Sequence, residues 1–216
     1  MHQDFDIYIC EMASDYIAER MQKREFGFCV GLAKKSNSSN ESGGLVFFVA
    51  KKQSNAPTKL IVTAGGCNLD QACSTSVFLG RTAAVRFLRR RFADKEAELA
   101  TYLHLDVEFV KPSNKGGSSG GLAAAIAFLS LALHKRVKKG VAVTGAIALN
   151  GDVKQVSGID QKVTAAVKSS MTHIIMPKMN KEDFEDLTIE FTEPIEVIYV
   201  SNLDEAYANV FEQNEA

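Results

Sequence analysis

Hydrophobic and polar positions along the chain repeat with two periods. Cys10, Ala13, Ile17 and Met21 recur at three- and four-residue spacing, which predicts an amphipathic helix over residues 1–23. Apolar runs predict strands at about 26–34 and 45–51, joined by the Ser-, Asn- and Gly-rich loop from Ser36 to Gly44. A third strand at 59–63 ends at Gly65-Gly66, and a helix over about 70–92 follows. Residues 103–110 alternate as a strand, and a loop at 111–118 runs into an Ala-rich apolar helix over 119–134. Alternation resumes as a strand at 141–149, and Asn150-Gly151 after it predicts a tight hairpin turn. A helix at 159–169, a strand at 173–176, a short helix at 180–186, a strand at 195–200 and a last helix at 202–212 complete the pattern.

Strands and helices mix without strict βαβ repetition, so the expected fold class is α+β, with mixed sheets and packed helices in a single compact domain. Residues 1–23 are expected to form a helical appendage, and residues 24–216 the main domain. A length of 216 residues allows one sizeable core and leaves little room for a second large domain. No G-x-x-x-x-G-K-[ST] site is present, which argues against nucleotide hydrolysis by this chain. The longest apolar run, Gly120 to Leu133, is too short to span a bilayer and reads as a buried helix.

The net charge of −1 gives no whole-molecule pull towards nucleic acid or anionic membrane, so neither is expected as a partner. That small number hides an asymmetry. Met179 to Ala216 holds eleven Asp+Glu against one Lys, a local net of −10 that leaves +9 on residues 1–178. The acidic segment is either a solvated surface or a partner for basic surface in head-to-tail subunit contacts. The densest basic stretch, Arg81, Arg86, Arg89, Arg90 and Arg91, reads as a solvated helix end, with a docking patch for an acidic partner as the alternative. Cys10, Cys29, Cys67 and Cys73 form no C-x-x-C pair and have no His at metal-ligand spacing, so neither a metal nor any other cofactor is expected. The start lacks a secretory signal, and reduced thiols in a cytoplasmic or similarly reducing compartment follow as the expectation.

Candidate chemistry lies in Lys115-Gly116-Gly117-Ser118-Ser119-Gly120-Gly121-Leu122. Glycines allow close backbone approach, and the helix that follows offers unpaired N–H groups at its positive end, an arrangement suited to an anion or an oxyanion. On its own the segment fits a capping serine and a packing loop equally well. A serine nucleophile needs a base, and His2, His104, His134 and His173 lack any recognisable triad context. A lysine serves when burial removes its proton near neutral pH. Lys162 is the candidate, flanked on a predicted helix by Val163, Ala165, Ala166 and Val167, although a single helical lysine is usually solvated.

Three blocks in fixed order decide between these readings. Gly117-Ser118-Ser119-Gly120-Gly121 resembles the G-P-S-A-G nucleophile motif of the proteolytic domain of the Lon family of Ser–Lys peptidases. Val141 to Val153 resembles that family's V-A-M-T-G-E-I-T-L-R-G-x-V, and Gly158 to Ala166 its G-L-K-E-K-x-x-A-A, with Ile174 to Lys178 behind. The blocks align without a gap, which puts the nucleophile on Ser119 rather than Ser118 and the base on Lys162, 43 residues later. More faintly, Gly31-Leu32-Ala33 and Leu60 to Gly65 resemble the early strands, so the likeness covers about residues 25–213. The departures are Gly116 in place of the Asp that usually lies three residues before the nucleophile, Ser118 in place of Pro, Ala146 in place of Glu, and an altered approach loop at 111–116.

The resemblance implies a serine endopeptidase in which neutral Lys162 takes the proton of Ser119 and an acyl-enzyme forms. Thr144 matches the threonine that orients the lysine, and backbone N–H groups of Gly116, Gly117 and Ser119 are the implied oxyanion donors. It further implies unfolded or flexible polypeptide substrates, a homo-oligomer (a hexamer in the family), and an ATPase or unfoldase module on another chain or a missing segment. The rival expectations are a non-catalytic Lon-like assembly module and a viral polyprotein-processing Ser–Lys protease.

Overall fold

The computed structural model describes residues 15, 18–35, 42–52, 60–64, 69–99, 103–109, 117–188 and 194–212. Its framework is a seven-stranded sheet in the order β3-β4-β2-β1-β5-β8-β9, formed by β1 (Phe28–Lys35), β2 (Ser42–Lys52), β3 (Leu60–Thr63), β4 (Leu103–Phe109), β5 (Val141–Val143), β8 (His173–Pro177) and β9 (Glu196–Val200). Only the β1–β2 and β2–β4 pairs are antiparallel; the other four are parallel. A mostly parallel sheet needs cover on both faces, and helices supply it. One face packs against α1 (Gln71–Arg91), α2 (Gly121–Leu133) and α5 (Leu203–Val210); the other carries α3 (Ile159–Lys168), with Phe184 of the short α4 (Lys181–Glu185) against it. The expected single domain of strands and packed helices is what the chain forms.

Side-chain alternation divides the core between these faces. Val46, Phe48 and Ala50 of β2 point towards α1 and α2, whereas Leu45, Phe47 and Val49 point towards α3. Eleven of the thirteen residues of α2 are buried, so the apolar run is the hub of one layer. Among the described residues no helix is long and apolar enough to cross a membrane.

The helix expected over residues 1–23 is visible at residues 18–23; Cys10, Ala13 and Ile17 lie outside the described residues, as do residues 36–41 of the expected loop. Met21 packs against the α3-side core, and Arg20 and Arg24 pair with Glu108 and Glu212. The strand expected at 141–149 leaves the main sheet after Val143. Its continuation, β6 (Ala146–Ile147), pairs with β7 (Val153–Lys154) in a separate two-stranded hairpin around Asn150-Gly151. A 3-10 segment, Ala93–Leu99, follows α1 where the periodicity predicts none. The arginines at the end of α1 are engaged within the chain. Arg89 pairs with Glu96, Arg90 and Arg91 pair with Asp204, and Arg86 donates to the Leu149 carbonyl (2.9 Å).

Candidate active site

The parallel strands β1, β5 and β8 end at one rim of the sheet, where ligands bind in open α/β sheets. The chain runs down α2 and back up β5, so the N-terminus of α2 lies at the same rim as Thr144 just after β5. Likewise, α3 starts at this rim and descends to β8. The sequence thus brings two helix N-termini, one from each face, to the same strand ends.

Ser119 lies in the 3-10 turn Ser118–Gly120 that opens α2, and is half-buried. Two backbone bonds lock this turn to the chain that leaves β5. The Gly145 N–H donates to the Ser119 carbonyl (3.0 Å), and the Leu122 N–H donates to the Gly145 carbonyl (3.0 Å). These bonds explain why the expected long strand breaks, because Gly145 turns its amide to Ser119 instead of a strand neighbour. Thr144 keeps one bond back to the sheet, from its N–H to the Ile175 carbonyl (2.9 Å). The Thr144 side chain is fully buried, and its hydroxyl has no hydrogen-bond partner among the described residues. A buried hydroxyl without a partner costs about 1–3 kcal/mol, so such a group calls for an explanation.

Lys162 occupies the first turn of α3 and is only 2% exposed, surrounded by a helix stripe of Ile159, Val163 and Ala166. Its Nζ donates to the Ser157 carbonyl (2.8 Å). Burial strips water from the ammonium and lowers its pKa from 10.5 to about 8, with the Lys34 charge acting in the same direction. The positive end of α3 disfavours a cation there too. The result is a lysine with a substantial neutral fraction at mildly alkaline pH, suited to general-base work.

The oxyanion groups named from the sequence fare differently. Gly116 lies outside the described residues. The Gly117 N–H donates to Asp70 Oδ2 (3.2 Å), while Asp70 Oδ1 accepts from the Cys73 N–H (2.7 Å) as the N-cap of α1. The sequence reading missed Asp70; its signal is an Asp directly before an apolar helical period. Among the described residues, the histidines and cysteines are engaged or buried. His104 bonds Thr63, His173 bonds Thr172 and faces Glu196, and His134 packs against Phe26. Burial pushes the Cys73 thiol up to about 11 and the Cys29 thiol still higher, which makes both poor nucleophiles.

Close helix packing fixes the serine turn from behind. A Cβ on Gly80 would lie 2.6 Å from the Gly121 carbonyl oxygen, so α1 can cross α2 this tightly only where residue 80 lacks a side chain.

Comparison with known proteins gives the chain a family. A family model described as the Lon protease (S16) C-terminal proteolytic domain matches residues 8–213. The chain is 34% identical over 149 residues to the mitochondrial Lon protease homolog of Bos taurus, covering 68% of this chain and 15% of that protein. It is 32% identical over 187 residues to the Lon protease of Dictyoglomus thermophilum, covering 85% of this chain and 22% of that protein. With the Lon protease of Endomicrobium trichonymphae the match runs over 201 residues at 27% identity, or 92% and 24% of the two lengths. The chain therefore spans less than a quarter of the length of these relatives.

Proposed function

The chain belongs to the family of Lon protease proteolytic domains, and from that premise we propose that it is a serine endopeptidase working through a Ser119–Lys162 dyad. The observation that carries the reading is Lys162, the one buried lysine among the described residues, whose pKa falls to about 8, at the rim where the Ser119 turn is bonded to Gly145, next to Thr144. No structural need accounts for a lysine at this position, since an apolar residue there would complete the α3 stripe at lower cost.

In this reading neutral Lys162 accepts the proton of Ser119 Oγ as that oxygen attacks the scissile carbonyl carbon. The Ser157 carbonyl holds one Nζ hydrogen, and the Thr144 hydroxyl, which has no partner among the described residues, orients the nitrogen lone pair towards Ser119. The tetrahedral oxyanion faces backbone N–H groups at the open end of α2. Ser119 supplies one, and Gly117 and Gly116 supply the others, with Gly117 first releasing Asp70. Lys162 returns the proton to the leaving amine, and water then hydrolyses the acyl-enzyme with the same lysine as base.

Substrates in this account are unfolded or flexible polypeptides. Since the chain corresponds to a minor part of its relatives' length, an unfoldase module on another chain or segment would unfold folded proteins for cleavage. A six-membered ring is the corresponding assembly. The test is digestion of an unstructured protein with and without ATP, comparing wild type with Ser119→Ala and Lys162→Ala. Each variant should lose on the order of 10³-fold or more of the activity while keeping the wild-type circular dichroism. Full activity in Ser119→Ala would refute the dyad, and loss confined to Ser118→Ala would move the nucleophile by one residue.

A further inference from the structure

The Ser157 carbonyl that holds Lys162 Nζ belongs to a stretch without secondary structure of its own, since β7 ends at Lys154 and α3 begins at Ile159. Among the described residues, no backbone–backbone hydrogen bond holds residues 155–157. Apart from the Lys162 contact, their bonds come from side chains that follow β8. Asn180, fully buried in the 3-10 turn Lys178–Asn180, is the centre of these. The Val156 N–H donates to Asn180 Oδ1 (3.0 Å), and Asn180 Nδ2 donates to the Val156 carbonyl (2.8 Å) and to Asp183 Oδ2 (2.5 Å). The oxygen and both amide hydrogens are thereby used. Gln155 Nε2 donates to the same Asp183 oxygen (3.2 Å). Asn180 stands at the N-cap of α4, where an asparagine oxygen ordinarily accepts from the first amides of the helix, yet its side chain makes no cap bond. It is turned to Val156 instead.

We propose that Asn180 is a positioning residue for catalysis: its clamp on Val156 fixes the Ser157 carbonyl, and through it the orientation of Lys162 Nζ; the proposal rests on the Ser119–Lys162 reading. The covalent path is short. The two Val156 bonds fix the peptide planes on either side of its Cα, so only φ and ψ of Ser157 separate the clamp from the Ser157 carbonyl. On the far side, Gly158 has φ of 71°, and its carbonyl accepts the first α3 bond, from the Lys162 N–H (3.1 Å). The carbonyl that meets Nζ is thus bracketed by fixed backbone. The clamp itself is anchored, because Asn180 follows directly on β8, the strand whose Ile175 carbonyl accepts from the Thr144 N–H (2.9 Å). One strand therefore sets both Thr144 and Asn180 relative to the lysine. An apolar side chain of similar volume would fill the site of Asn180 and leave the buried Val156 amide and carbonyl unpaired.

A double-mutant cycle with Lys162 tests this, read as the rate of Ser119 phosphonylation by a small fluorophosphonate per serine that reacts at the end point, so that unfolded chain does not count. Asn180→Asp keeps the size and the acceptor but loses the donation to Val156. Asn180→Asp combined with Asp183→Asn does the same without setting two carboxylates together. With Lys162 present, each should lower the phosphonylation rate, and kcat on a peptide substrate, by roughly tenfold, with KM within about twofold. In the Lys162→Met background the same changes should leave the residual rate within about twofold, because no amine remains to be positioned. Equal losses in both backgrounds would make Asn180 a structural residue and overturn the proposal. An unchanged kcat, or a loss carried by KM, would overturn it as well, and each of these results leaves the dyad standing. A Lys162→Met enzyme phosphonylated as fast as wild type would overturn the dyad and the proposal together.

Discussion

α2 and α3, the helices that hold Ser119 and Lys162, are both docked on the sheet, yet by opposite means. α2 is apolar all round and buried along nearly its whole length, and it presents its open N-terminus to the rim. α3 is amphipathic, with Asp160 and Lys168 outside and a lysine inside its apolar stripe. The first helix is optimised for packing, and its chemistry resides in backbone amides at the end. The second gives up stability at one position, and its chemistry resides in the side chain that costs it. Proteins keep such unfavourable groups where function needs them.

The largest effect that separates these helices on stability is at Lys162. Lowering its pKa from 10.5 to about 8 costs the folded state about 3 kcal/mol at neutral pH. The unfolded chain binds the extra proton between these two values. The penalty is therefore complete below pH 8, shrinks as the pH climbs from 8 to 10.5, and vanishes above. Lys162→Met should accordingly raise the unfolding free energy by up to about 3 kcal/mol at pH 7, and by less at pH 10, in urea titrations at both values. A destabilised Lys162→Met would break the contrast between the helices.

A smaller effect is expected where α2 meets α1. Gly80→Ala pushes a methyl against the Gly121 carbonyl and should cost about 1–3 kcal/mol, with a matching fall in Tm. The same variant should slow peptide cleavage, since Gly121 adjoins the turn that carries Ser119. Smaller again and opposite in sign is Thr144→Val. It removes a buried hydroxyl that has no partner among the described residues and keeps the shape, so its unfolding free energy should rise, by about 1 kcal/mol. Its kcat should nevertheless drop by roughly tenfold or more if that hydroxyl orients Lys162. A Thr144→Val enzyme with wild-type kcat would reduce Thr144 to a packing residue.

The same contrast governs what the sequence disclosed. α2 was legible from its apolar run, and the sheet strands from their alternation, because both record burial directly. The break after Val143 was not, since Val141, Val143 and Ile147 keep alternating while the backbone turns towards Ser119, a partner distant in sequence. Pairing of Arg90 and Arg91 with Asp204 was hidden for the same reason, although both arginines stay largely exposed, as a solvated helix end would. Lys162 shared the periodicity of Ile159, Val163 and Ala166, a sign of burial that only the family resemblance turned into a role. Asp70 and Ser157 gave no signal of touching the site, because each contributes through a single contact that the fold creates.

The account stands or falls on whether Lys162 is the base for Ser119, and the rate of Ser119 phosphonylation as a function of pH measures that directly. Wild type should react faster as the pH rises, with a midpoint near 8 where the lysine loses its proton, and Lys162→Met should react slowly with no such rise. A flat wild-type profile between about pH 6 and 9, or the same midpoint in Lys162→Met, would contradict it.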